Sequence, residues 1–320
     1  MALAKGHYQF LREIPVGSDG GWDCLTVDAA AHRLYVTHAT EVVVIDTTTD
    51  MVVGEIGGLA GAHDFAIAEK TGRGFASNGR ENTVSVVDLG SRKTLARIAT
   101  GQNPDILLYE PTRAEIYAFN GKSQSATVID AGTGVVAATI PLGGKPEFAQ
   151  ADGARVFVNL EDKNEVAVID VPARAVTQRW PIAPGAEATG MGIDREHHRL
   201  FLGCDNARMV VLDSRDGHVV ATLPVGKGID GAAFDAGTQL AFTSNGADGT
   251  VTVVHEDTPD KFTVVQTLTT ERSARTMAVD LSSHKIYLPS AVFEAKQPGD
   301  TKRPKIVPGT FKVLVYELKG

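Results

Sequence analysis

Hydrophobic positions along this chain fall in short runs separated by polar, turn-forming residues, and the same run is written again and again. The stretch Leu34–Ile56, LYVTHATEVVVIDTTTDMVVGEI, shows the unit. An apolar strand ends in a polar residue and a turn follows. A second, β-branched strand then closes on Ile-Asp, and a third of alternating pattern ends in Ile. Short β-branched runs bounded by turn residues are strand signals, and no helical period of any length interrupts them. The second strand recurs as TVSVVD to Asp88, ATVID to Asp130, VAVID to Asp170 and MVVLD to Asp213, and in TVTVVH the Asp position holds His255. Successive anchors lie 42, 42, 40, 43 and 42 residues apart. A repeat of roughly 40–45 residues is the size of a four-stranded propeller blade.

Seven such units can be laid over one another, at approximately 22–57, 62–99, 104–141, 146–181, 188–224, 229–269 and 274–318. The last supplies only three strands (RTMAVD, KIYLP, FKVLVYEL), whereas Tyr8–Ile14 (YQFLREI) is a strand with no blade of its own in front of it. The economical arrangement completes the seventh blade with residues 8–14. The fold class expected is therefore all-β, a single seven-bladed β-propeller over residues 1–320, closed by its N-terminal strand. Closure removes the open sheet edges that would template aggregation.

Superposing the blades lines up two rings of side chains. Near the start of the innermost strand stand Asp23, His63, Asp105, Glu147, Thr189, Asp230 and Arg275. At the end of the second strand stand His38, Asn78, Asn120, Asn159 or Leu160, Cys204, Asn245 and Ser290. In a propeller those two places share one face, so both rings are expected around one mouth of the central channel, with Trp22 beside them. One blade departs from the pattern: the insertion at 291–310, AVFEAKQPGDTKRPKIVPGT, exceeds the two to five residues of an ordinary hairpin. Topology brings it out on the same face, as a lid, a rim or a solvated decoration.

Tyr35-Val36-Thr37-His38 resembles the Tyr-Val-Thr-Asn signature of the YVTN-repeat (YncE-like) seven-bladed propellers, with His38 in place of Asn. The stretches 83–98 and 126–140 are similar to the rest of that repeat, and the resemblance runs from about residue 8 to 318. It implies the propeller fold and a periplasmic or secreted protein. Relatives by fold include lactonases, a virginiamycin-type lyase and the haem-binding propeller of nitrite reductases. No haem-ligation pattern or lactonase site carries over to this chain residue by residue.

The four carboxylates Asp23, Asp105, Glu147 and Asp230, with His63 and Arg275 among them, leave three readings open. They can bind a divalent cation, for which an all-oxygen set favours Ca²⁺ or Mg²⁺ over Zn²⁺ or Cu²⁺. They can form part of a wider ligand site with Trp22, His38, Asn78, Asn120, Thr189 and Asn245, for a small polar molecule or a protein partner. Crowding can also shift one group into service as a general base, His63 or Glu147, with Arg275 stabilising a developing anion in a metal-assisted lyase or lactonase-like hydrolase. Against all three stands plain capping of turn amides by the acidic side chains. The Asp closing each β-branched strand (Asp46, Asp88, Asp130, Asp170, Asp213) recurs too regularly to be a site and reads as a turn cap.

Composition narrows the partners. The formal charge of −8, from 39 acidic and 31 basic residues, disfavours nucleic acid. No apolar run approaches the roughly 18 residues of a membrane span, and a monomer is expected. Met1–Gly6 shows no signal-peptide core, which fits a cytosolic chain or a mature or trimmed form. Cys24 and Cys204 fall in distant blades, so no disulfide is expected, and Cys204 reads as a buried small hydrophobe. His197-His198 lies in a turn on the face away from the mouth and is expected to be solvated.

Overall fold

The computed structural model describes residues 6–295 and 304–320. Seven sheets of four antiparallel strands stand round a ring, and the innermost strand of each touches that of the next, the seventh returning to the first. We call the strands of a blade A to D from the axis outward. The A strands of blades 1 to 6 are Trp22–Asp28, Ala62–Ala68, Pro104–Glu110, Pro146–Asp152, Ala188–Asp194 and Ile229–Asp235. In blade 7, A, B and C are Ala278–Asp280, Lys285–Ser290 and Lys312–Lys319, and D is the N-terminal strand His7–Pro15. Tyr8 pairs with Leu318 and Ile14 with Val313, so the two ends of the chain share one sheet. Among the described residues no helix is long and apolar enough to cross a membrane.

The apolar faces alternate because side chains on a strand point to opposite sides. Each blade therefore has two faces to bury, and it buries them against its two neighbours. The core is divided accordingly into seven clusters, one per blade interface; Phe157, Trp180 and Leu202 lie between blades 4 and 5, for example, and Phe201, Phe234 and Phe262 between blades 5 and 6. The tightest approach is between the A strands of blades 5 and 6. A Cβ added at Gly190 would sit 2.3 Å from the Ala232 nitrogen, so only glycine fits there.

Hydroxyls and amides then stitch A strands across the interfaces. Thr37 donates to the carbonyl of His63 (2.9 Å), Asn159 to that of Thr189 (2.9 Å), Thr189 to that of Ile229 (2.9 Å) and Thr276 to that of Asp23 (2.6 Å). Each thus adds an acceptor contact between neighbouring blades, as buried backbone carbonyls favour. The turn-capping Asp residues behave as the sequence suggests. Asp46, Asp88, Asp130, Asp170 and Asp213 each accept a backbone N–H two or three residues on, at 2.7–2.9 Å.

Removing His7–Pro15 would strip strand D from blade 7 and leave Lys312–Lys319 as an open edge. A chain lacking residues 1–15 should melt well below the full chain and aggregate on light scattering. Equal melting points would mean that the ring does not depend on the N-terminal strand.

Candidate functional site

In six blades the pairing of strand A with strand B slips immediately after the first A residue, between Trp22 and Leu25, Ala62 and Phe65, Pro104 and Leu107, Pro146 and Ala149, Ala188 and Met191, and Ile229 and Gly231. Asp23, His63, Asp105, Glu147, Thr189 and Asp230 all sit within these irregularities. A bulge releases residues from the ladder and re-aims their side chains, here at the channel mouth. In blade 7 the paired A strand begins only at Ala278, so Arg275 stands on irregular backbone at the equivalent place.

The ring is tied together by charge. His63 Nδ1 lies 2.8 Å from Asp23 Oδ2 and 3.5 Å from Asp105 Oδ1. Arg275 bridges Asp230 (3.2 Å) and Asp23 (3.7 Å). Glu147 instead pairs with Lys145 at 2.8 Å, and Lys145 also meets Glu161. Thr189 is used in the stitch to Ile229. One atom each from Asp23, His63 and Asp105 falls within 4.8 Å of the others, close enough to hold a metal ion, whereas Glu147 and Asp230 are held in their own ion pairs. Among the described hydrogen bonds none runs from a backbone amide to Asp23, Asp105, Glu147 or Asp230. The capping role belongs to a residue that sequence reasoning missed: buried Asp64 accepts the N–H groups of Phe65 (2.8 Å) and Leu107 (2.9 Å), the latter in the next blade.

Burial dominates the electrostatics. It pushes the Asp230 carboxyl up to about 6 and raises Asp105, in each case against a nearby cation. Burial also raises Asp64 to about 7 despite its two amide donors, and Glu147 to about 8 despite Lys145. The hydrogen bond with Asp23 raises the His63 imidazole, outweighing the burial that opposes it.

The second ring does not face the mouth. Asn78, Asn120 and Asn245 are fully buried, and each amide donates to hydroxyls of the neighbouring strand C: Thr83 and Ser85, Ser125 and Thr127, Thr250 and Thr252. The end of strand B lies under the bulge, so its side chains fasten the blade instead of reaching a ligand. His38 is buried too, stacked on Phe311 at 4.2 Å, and burial lowers its imidazole pKa. Cys204 is fully buried with its thiol pushed up to about 12, and both cysteines are free.

Beside the ring, between blades 6, 7 and 1, opens a cavity of about 830 Å³. Trp22, Ala247, Phe293, Pro304 and Ile306 give it an apolar wall, and Arg272, Ser273 and Arg275 its polar groups. The base of the insertion builds one side. Phe293 pairs with Ile306, and Trp22 stacks on Phe311 (5.2 Å) and approaches Phe293 (6.0 Å). Residues 296–303 of the insertion lie outside the described part. Among the described residues the buried Trp22 indole N–H and Ser273 hydroxyl have no hydrogen-bond partner.

No family model matches the chain, and no curated protein matches it at a significant level. Solved structures do. The WD40 repeats of RRP9 superpose with a TM-score of 0.81 at 12% identity, over 98% of this chain and 100% of that one. U3-55K gives 0.79 at 12% identity over 95% and 98%. The hydrazine synthase of Kuenenia stuttgartiensis gives 0.73 at 16% identity over 84% and 92%. Identities this low establish the class, a seven-bladed β-propeller, and nothing narrower.

The pKa shifts fix a pH dependence. Asp64, Asp105, Glu147 and Asp230 are raised in the fold, so stability falls as pH climbs from their unfolded values near 4 through their folded ones. The stability that raised His63 contributes is present below about 6.5 and lost as pH rises through its folded value, which is the same direction. Melting temperature should drop between about pH 5 and pH 8, less steeply in Asp64→Asn. A flat profile in the parent chain would contradict the assignment.

Proposed function

We propose that this propeller is a ligand-binding protein whose site is the polar mouth together with the adjoining cavity. Its ligand is a small organic molecule with an apolar body and an acceptor-bearing, anionic end. The observation that carries this reading is the cavity wall itself. Trp22, Phe293 and Ile306 offer an apolar surface with Arg275 beside it, and among the described residues the buried Trp22 N–H and Ser273 hydroxyl, both on lining residues, have no partner. Buried donors without partners cost free energy that a ligand acceptor would recover, and pockets that pair an apolar lining with a few polar anchors are the usual form of small-molecule sites. The Tyr35–His38 signature supports a place among the YVTN-repeat propellers, and with it a periplasmic or secreted location.

The test uses 8-anilinonaphthalene-1-sulfonate, an aromatic anion that fluoresces when bound, in titrations of the folded protein. Trp22→Leu and Arg275→Ala should each weaken binding about tenfold, the scale of one charge-assisted contact. Unchanged binding in both variants would remove the ligand from this cavity. Pull-down of a protein in place of any small ligand would favour the partner-binding version.

A second reading draws on the cluster of Asp23, His63 and Asp105, namely a metal-assisted lyase or lactonase-like hydrolase. In it His63 or Glu147 serves as general base and Arg275 stabilises a developing anion. Its test is a melt with EDTA and then with Ca²⁺, Mg²⁺, Zn²⁺ and Cu²⁺ singly, because an ion that binds only the folded state raises the melting point. A rise for one ion that Asp105→Asn abolishes would support this reading and justify a lactone screen. No rise in the parent chain would count against it.

A further inference from the structure

We propose that Asp194, His197 and Glu256 form a divalent-metal site of the zinc or manganese class on the face opposite the mouth, joining blade 5 to blade 6. Asp194 ends the same A strand whose start carries Thr189, so the cluster lies at the far end of that strand. Glu256 comes from strand C of blade 6, Thr250–Thr258. His197 belongs to the turn after Asp194 and is partly exposed, contrary to the fully solvated turn that the sequence suggests.

His197 Nδ1 lies 2.7 Å from Asp194 Oδ2 and 3.0 Å from Glu256 Oε1, and one ligand atom from each residue falls within 4.8 Å of the others. The proximity alone would mean little. Glu256, however, is 1% exposed, its Oε1 meets only the imidazole within the cluster, and among the described residues its Oε2 has no hydrogen-bond partner. A buried carboxylate left in that state is expensive, and it faces a second buried carboxylate. Arg199 nearby is already committed: it donates to the carbonyls of Pro259, His197 and His198 and to the carboxylates of Asp213 and Asp260. A bound cation would satisfy both Glu256 oxygens and relieve the repulsion with Asp194.

The donor set selects the ion. One imidazole nitrogen with two carboxylates suits zinc or manganese, whereas calcium seeks six to eight oxygens. Asp194 Oδ1 already accepts the Glu196 N–H at 2.9 Å, which orients the carboxylate and leaves Oδ2 towards the cluster. The exposed side of His197 leaves room for a water in the remaining position. On binding, the imidazole releases any proton from Nδ1 to solvent and its lone pair goes to the metal, so no redox partner is needed.

The experiment strips the full chain with EDTA, dialyses it against Zn²⁺ or Mn²⁺ alone, and measures bound metal by elemental analysis with the melting temperature alongside. One equivalent should be retained by the parent chain and by Asp105→Asn, with a rise in melting temperature of a few degrees. Glu256→Gln, which keeps the shape, and His197→Gln, at a partly exposed site, should each weaken retention roughly tenfold or more. Unchanged stoichiometry in both of these variants, or no metal in the parent chain, would overturn the proposal. Loss of the only equivalent in Asp105→Asn would place the metal at the mouth and overturn it equally.

Discussion

The structure depends on a ring that has to close. Each blade has two apolar faces and no use for water on either, so no blade is satisfied until it has a neighbour on both sides. Seven interfaces with seven clusters of core residues are the result, and the N-terminal strand, seated in blade 7 beside Lys312–Lys319, completes the two that flank that blade. Tyr8 and Ile14 are buried at this closure, Tyr8 in the interface with blade 6 and Ile14 in that with blade 1. Pairing ends that are distant in sequence makes the ring one cooperative body, at the cost of slow, non-local contacts during folding.

The same closure creates the chemistry. Inner strands brought together round an axis have little space, and the carbonyls left between blades must be answered from the neighbouring blade. Thr37, Asn159, Thr189 and Thr276 do this. The slip in register next to those stitches turns one side chain per blade towards the channel. The mouth is thus a by-product of the architecture, and its composition is what can carry function.

The period of about 42 residues, the seven units and the shared seventh blade were legible because they rest on local strand and turn patterns. The ring of Asp23, His63, Asp105, Glu147, Thr189, Asp230 and Arg275 was legible for the same reason: equal positions in equal repeats fall at equal places. The ring of asparagines was misplaced, since no sequence pattern shows the bulge that lifts the A-strand side chains above it and leaves Asn78, Asn120 and Asn245 within the blades. Asp64 escaped notice because it follows the aligned position by one residue and acts on Leu107 of the next blade. Glu256 was hidden similarly. It follows the odd His255, and its neighbours Asp194 and His197 come from a different repeat.

The two acidic clusters differ in how their repulsion is relieved. At the mouth, Arg275, Lys145 and His63 come with the fold and stand within hydrogen-bond or ion-pair distance of carboxylates. That site is nearly balanced as it is, and a ligand bound there, as proposed, would work mainly through the donors of the cavity wall. On the opposite face Arg199 is used up by its own carbonyls and by Asp213 and Asp260, and burial pushes the Glu256 carboxyl up to about 7. There the repulsion between Asp194 and Glu256 is relieved only by the His197 imidazole and by protonation. Solvent access through His197 would let a metal ion compete with a proton for the place, in a manner that depends on pH.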